Sequence, residues 1–205
     1  MKKHVKITST LLALLMLSLA FISCTGTSIR LHNQITAASL TSEELSIVSL
    51  LADTHNVDIF SFHVDENYTT LSLWIDVYEH GELVETSGGM ELSLHNTPVA
   101  IESLDGQNPI GHIAVIRRQD GETHSWELVA SIGGATIRSS FEFALATGGS
   151  VWVSLPDTTE IQANQDIILY MRLFGNGIPI LGSMEEQMNT LSEISRAYVV
   201  RTRFS

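Results

Sequence analysis

The chain has 205 residues, of which 44% are hydrophobic and 17% charged, the balance of an ordinary globular chain and not of a disordered or fibrous one. Its 11 basic and 23 acidic side chains give a net charge of −12. All three lysines, Lys2, Lys3 and Lys6, lie near the start, so that from Cys24 onward 8 arginines face 23 acids, a net of −15; a field of that sign repels phosphate backbones and speaks against a nucleic-acid partner.

Residues 1–23 read as a secretory signal peptide: the basic stretch is followed by an apolar-rich run from Leu11 to Ile22 and then by Ser23 and Cys24. At about 1.5 Å per residue this run covers roughly 18 Å as a helix, short of a hydrocarbon core of about 30 Å, so it is a leader and not a span. The stretch Phe21-Ile22-Ser23-Cys24 resembles the lipobox that ends the leaders of bacterial lipoproteins, with Phe21 where that family usually carries Leu. The resemblance covers only the leader and Cys24. It implies cleavage between Ser23 and Cys24, diacylglycerol on the Cys24 thiol, and a protein held at the extracytoplasmic face of a cell membrane by acyl chains such as palmitate. Two chains give stable attachment where one is marginal. Cys24 is the sole cysteine, so with its thiol acylated the exported domain has no disulfide and depends on its core alone.

Residues 24–40, rich in Ser, Thr and Ala without a clear period, read as a lipidated linker. Thr41-Ser42-Glu43-Glu44 offers a capping box, with Leu45, Val48 and Leu51 behind it at three-residue steps; this predicts a short helix and connection over 41–56. From 57 to 205 the period changes to two and turn signals recur, which predicts an all-β domain: an antiparallel two-layer β-sandwich with one or two short peripheral helices.

The clearest strand runs from Tyr68 to Glu79, with Leu71, Leu73, Ile75 and Val77 on one side. It turns at His80-Gly81 into Leu83-Val84, and Gly88-Gly89 then separates a strand from Met90 to Leu94. Asp120-Gly121 marks a second hairpin between strands at 110–118 and 123–131. Further strands are expected over 136–145, 151–155, 167–174 and 197–204. In the last of these Arg201 and Arg203 suggest an edge protected by charge. Ser183-Met184-Glu185-Glu186 is a second capping box, followed by Met188 and Leu191, and predicts a short helix before the final strand.

No catalytic constellation is recognisable. The sequence holds no Gly-x-Ser-x-Gly elbow, no phosphate-binding glycine loop and no His-Glu-x-x-His, and no lysine follows residue 6 to form a Schiff base. The histidines after the leader show no metal-ligand spacing, so neither a metal nor a cofactor is expected. Acids such as Asp76 and Glu142 sit between apolar neighbours, as strand alternation alone requires.

The same alternation selects a set of outward side chains. If Leu71 to Val77 face the core, Trp74, Asp76 and Tyr78 face away; Val151, Val153 and Leu155 put Trp152 outside; and Ile167, Leu169, Met171 and Leu173 put Tyr170, Arg172 and Phe174 outside. Trp126, on the face of Leu128 and Ala130, is assigned to the core. Outward aromatics beside Asp76 and Arg172 suit stacking on a sugar ring or anchoring of a protein partner. The expectation is therefore a lipid-anchored, non-catalytic binding or accessory module, attached to the membrane through Cys24 and facing an envelope protein or glycan. A carbohydrate-active envelope protein and an accessory subunit of a transporter or sensor complex are the alternatives.

Overall fold

The computed structural model describes residues 33–43, 46, 48, 56–94, 111–120, 123–144, 146–156, 158–178 and 183–205. The expected leader, Cys24 and most of the expected linker lie outside these residues, as does most of the helix expected over 41–52. Of that helix, Ser42, Glu43, Ser46 and Val48 have helical backbone, and Ser46 Oγ donates to the Ser42 carbonyl at 2.8 Å. Among the described residues no helix is long and apolar enough to cross a membrane.

Eleven strands are described: β1 Gln34–Ala37, β2 Val57–His63, β3 Thr70–Glu79, β4 Glu82–Ser93, β5 Gly111–Asp120, β6 Thr123–Ile132, β7 Ala135–Ala144, β8 Gly149–Ser154, β9 Thr159–Glu160, β10 Asp166–Gly175 and β11 Arg196–Phe204. They form two sheets, ordered β7-β6-β5-β2-β1-β9 and β4-β3-β11-β10-β8. Every pairing is antiparallel, so the expected all-β sandwich is the fold. Phe60, Ile113, Val115, Trp126 and Leu128 of the first sheet and Leu71, Leu73, Ile75, Tyr198 and Val200 of the second are fully buried. Cross-strand partners share a face, and the register pairs Phe60 with Ile113 and Ile75 with Val200, so each sheet turns one apolar face to the other.

Three local features differ from the sequence expectation. Gln34–Ala37, assigned to the linker, forms β1, because Ile35 pairs with Phe62 and is fully buried; one buried residue in four is too short a pattern to show a period. The pair Gly88-Gly89 does not end a strand. Both glycines take positive φ, 118° and 44°, and β4 runs on through them past a shift in register opposite Trp74, a bulge that side chains with a Cβ would resist. The third is β11, which is the centre of its sheet, flanked by β3 and β10, and not an edge. Ala197 to Val200 are buried on both faces, and Arg201 and Arg203 are tied to Asp76 and Asp166.

Other local readings hold. The β3–β4 turn uses His80 at φ 48° and Gly81 at φ 84°, the two left-handed residues of a tight hairpin. The second helix, α1 (Met184–Asn189), carries both arms of its capping box: Ser183 Oγ accepts from the Glu186 amide at 3.1 Å and the Ser183 amide donates to Glu186 Oε2 at 3.0 Å. Met184 and Met188 line a cavity with Ile168 and Arg201, which sets α1 beside the outer face of β10 and β11.

On β5, Gly111 pairs with Phe62, and a Cβ at Gly111 would fall inside the Phe62 ring. Phe62 in turn packs edge-on against Phe204, ring centroids 5.2 Å apart, which links the two sheets. Gly111→Ala must displace that ring, with an expected loss of about 1–3 kcal/mol in chemical denaturation; an unchanged midpoint would show that Phe62 has room to move.

Candidate functional site

The six residues selected from the sequence divide into two groups on opposite faces of the second sheet. Trp74, Asp76 and Tyr78 do face away from the sandwich, but β11 claims them. The Arg203 guanidinium lies 5.3 Å from the Trp74 ring centroid and Arg203 Nε is 2.6 Å from Asp166 Oδ1. Asp76, only 7% exposed, accepts from Thr86 Oγ1 at 2.7 Å and lies 2.8 Å from Arg201 Nε. Tyr78 Oη accepts from Arg201 Nη2 at 3.3 Å. These bonds make a ladder of charge and aromatic side chains that staples β3 to β11, in place of an open platform. Removing one partner of a largely buried pair strands the other charge. Asp76→Ala is therefore expected to cost about 3 kcal/mol and Asp76→Asn, which keeps the Thr86 bond, less; equal losses in urea titration would show that the Arg201 charge is indifferent to its partner.

Tyr170, Arg172 and Phe174 are not outside. A bulge between Ile168 and Tyr170 leaves Leu169 without a partner on β11, so the register runs Ile167↔Thr202, Ile168↔Arg201, then Tyr170↔Val200, Arg172↔Tyr198 and Phe174↔Arg196. One inserted residue reverses the parity of everything after it. Tyr170 is thus 2% exposed and meets the Trp126 ring edge-on at 5.6 Å, and Trp126 is in the core as expected. Burial pushes the Tyr170 phenol up to about 12. Trp152, also expected to face outward, is open to solvent at 64% exposed, but not for that reason. It pairs with Arg172, as Ser154 pairs with Tyr170, so it stands on the sandwich-facing side of β8 and owes its exposure to that strand's place at the sheet edge.

Opposite β10 and β8, the first sheet contributes charged groups that the sequence reading did not select. Arg117 follows Ile113 and Val115 at inward parity on β5 and is buried; its Nη2 is 2.7 Å from Asp58 Oδ2 on β2, and its guanidinium lies 4.0 Å from the Tyr170 ring centroid. His124, inward with Trp126 and Leu128 on β6, is 1% exposed and tilts against Phe174 at 5.3 Å. Neither of its ring nitrogens has a hydrogen-bond partner. The signal for both was present, since each sits where alternation demands an apolar residue.

Asp58 also lines a cavity of about 360 Å³, bounded by Ala37, Leu40, Val48, Ile59 and Ser154. This opening lies between β1–β2 and β8, and Ser154 leads from it along one face of β8 to Trp152. The cavity thus has Asp58 of the Asp58–Arg117 ion pair in its lining, and Ser154 at its edge stands two residues along the same face of β8 from the exposed Trp152, whose cross-strand neighbour is the half-buried Arg172. Together these groups offer stacking, charge and hydrogen bonds. Among the described residues no three His, Cys, Asp or Glu side chains gather as a metal site would require.

Burial, with the Arg172 charge adding to it, holds the His124 imidazole below its ordinary value, and burial holds His63 low against the pull of Asp65. A base with a lowered folded pKa binds its proton more tightly in the unfolded chain, so stability falls as pH drops through about 6.5 and goes on falling to the folded value. Tm is expected to decline between pH 7.5 and 5.5, and His124→Phe to flatten that decline; an unaltered slope in the variant would assign the dependence elsewhere.

No curated protein and no solved structure matches the chain. A family model does: the YgaN domain, over residues 34–201. That span opens at the first residue of β1 and closes within β11, so it takes in both sheets, Trp152 and the Asp58–Arg117–Tyr170 cluster, and leaves out residues 1–33, Cys24 among them. By that match the chain belongs to the YgaN domain family.

Proposed function

We propose that the protein is an extracytoplasmic, lipid-anchored and non-catalytic binding module that takes its ligand at the β8 end of the sandwich around Trp152. The observation that carries this reading is the exposure of Trp152 on the edge strand β8. Leaving a large apolar side chain in water forgoes roughly 1.5–3 kcal/mol of burial, and a rigid indole with one face free is an efficient anchor for a sugar ring or a partner side chain. Leader and Cys24 support attachment at the outer face of a membrane, where two acyl chains would hold the domain. The strongly negative charge of the exported part fits a partner other than nucleic acid.

A second reading, an accessory subunit of a transporter or sensor complex, draws on the β3–β4 hairpin. Leu83 and Val84 at its tip are 54% and 52% exposed, and the hairpin lies at the opposite edge of the sheet from β8.

Cross-linking in intact cells with the anchored protein separates the two. Trp152→Ala is expected to abolish capture while changing stability by less than about 1 kcal/mol, and Leu83→Ser/Val84→Ser to leave it intact. Capture lost only with the hairpin variant would move the contact to the other edge, and loss of stability without loss of capture would remove Trp152 from the reading.

A further inference from the structure

Arg172 differs from the other arginines of the domain. Seven arginines fall among the described residues. Five of them, Arg117, Arg138, Arg196, Arg201 and Arg203, have a carboxylate within 4.0 Å. Arg118 is exposed. Arg172 is half-buried, has no carboxylate partner among the described residues, and its Nε is buried without an acceptor. Its guanidinium lies over the Phe174 ring, 5.1 Å from the centroid, and its cross-strand neighbour on β8 is Trp152. A partly desolvated cation without a counter-charge is costly. The other inward arginines, Arg117 and Arg196, are paired with Asp58 and Glu79, whereas Arg172, beside the exposed indole, has no carboxylate partner among the described residues.

We propose that Arg172 and Trp152 together recognise an acidic sugar, the indole stacking on the ring and the guanidinium fork receiving its carboxylate. This rests on the reading of the β8 end as the binding site and names its ligand class. Planar two-donor geometry makes Arg a selective receptor for carboxylate, and a flat indole takes a pyranose face without demanding one hydroxyl pattern. A cavity of about 360 Å³ lined by Ser154, two residues along β8 from Trp152, falls in the size range of small-ligand sites. The net charge of −15 in the exported part disfavours a dense polyanion, so the ligand is a saccharide with a single carboxylate within reach of Arg172. A carboxylate offered by a protein side chain would use Arg172 alone and leave the indole face unexplained.

The test is calorimetric titration of the detergent-solubilised full-length protein with cellobiuronic acid and with cellobiose, which differ in one carboxylate. Cellobiuronic acid is expected to bind about tenfold more tightly, the yield of one charge-assisted hydrogen-bonded pair. Arg172→Gln should erase the preference, Arg172→Lys should keep part of it, and Trp152→Ala should weaken both ligands alike. Equal affinity for the two sugars in the wild type, or a preference that survives Arg172→Gln, overturns the proposal while leaving Trp152 as the anchor. Binding of neither sugar alongside cross-linking that still depends on Trp152 overturns it in favour of a protein carboxylate. Binding of neither, with cross-linking indifferent to Trp152, overturns the reading of the site as well.

Discussion

Between Ile168 and Tyr170 the β10 chain carries one residue more than β11 can match, and the character of the whole domain follows from where that residue stands. Before the bulge Ile167 points into the sandwich; after it Tyr170, Arg172 and Phe174 do, while Leu169, Met171 and Leu173 turn to the outer face. The outer face must then be covered, and α1 with Leu191 and Ile194 lies there. The inner face must accommodate a phenol and a guanidinium, and Arg117, Asp58 and His124 of the opposite sheet meet them. Without the bulge β10 would present four aliphatic side chains to the core and no polar site would form between the sheets. Leu169 itself stays tied through its carbonyl, which accepts from the Leu155 amide at 2.9 Å.

The two faces of the second sheet show the same residue types used in opposite ways. On the outer face Asp76, Arg201, Asp166 and Arg203 alternate in sign, so each charge is answered by its cross-strand or diagonal neighbour and the aromatics lie beneath the guanidinia. On the inner face Arg117 is answered by Asp58 and Arg196 by Glu79, while Arg172 has no carboxylate partner among the described residues. Balanced ladders fix strands together. An unbalanced cluster at an opening attracts something from outside, and that asymmetry distinguishes a staple from a site.

Fold class was legible because the strands of this domain are long and bury one face. Leu71 to Val77 and Trp126 to Ala130 show the two-residue period without interruption, and the turns at His80-Gly81 and before Met184 carry their own chemistry. What failed to show was every irregularity: the bulges at Gly88-Gly89 and Ile168–Tyr170 insert a residue that periodicity has no means of detecting, and a strand as short as β1 offers one buried position. The site suffered accordingly. Trp152 is exposed as expected but on the sandwich-facing side, Asp76 is buried because a polar residue on an outer face can still be covered by its ion pair, and Tyr170 and Arg172 lie on the opposite face from the one expected because of one inserted residue. Asp58, Arg117 and His124 were passed over because only the opposing sheet reveals that polar residues at inward parity converge.

The position of β11 has a consequence for the order in which the structure can be completed. The last of the described strands is the middle of its sheet, and Ser205 closes it by exchanging backbone hydrogen bonds with Thr70 at 2.9 and 3.0 Å. Until residues 196–204 are present, β3 and β10 expose one unpaired edge each and cannot pair with one another across the missing strand. The contacts that join β3 to β11 span more than a hundred residues, so the sheet is assembled by the slowest kind of closure. The centre of this sheet therefore stays open until residues 196–204 join it, a state exposed to wrong partners for as long as it lasts.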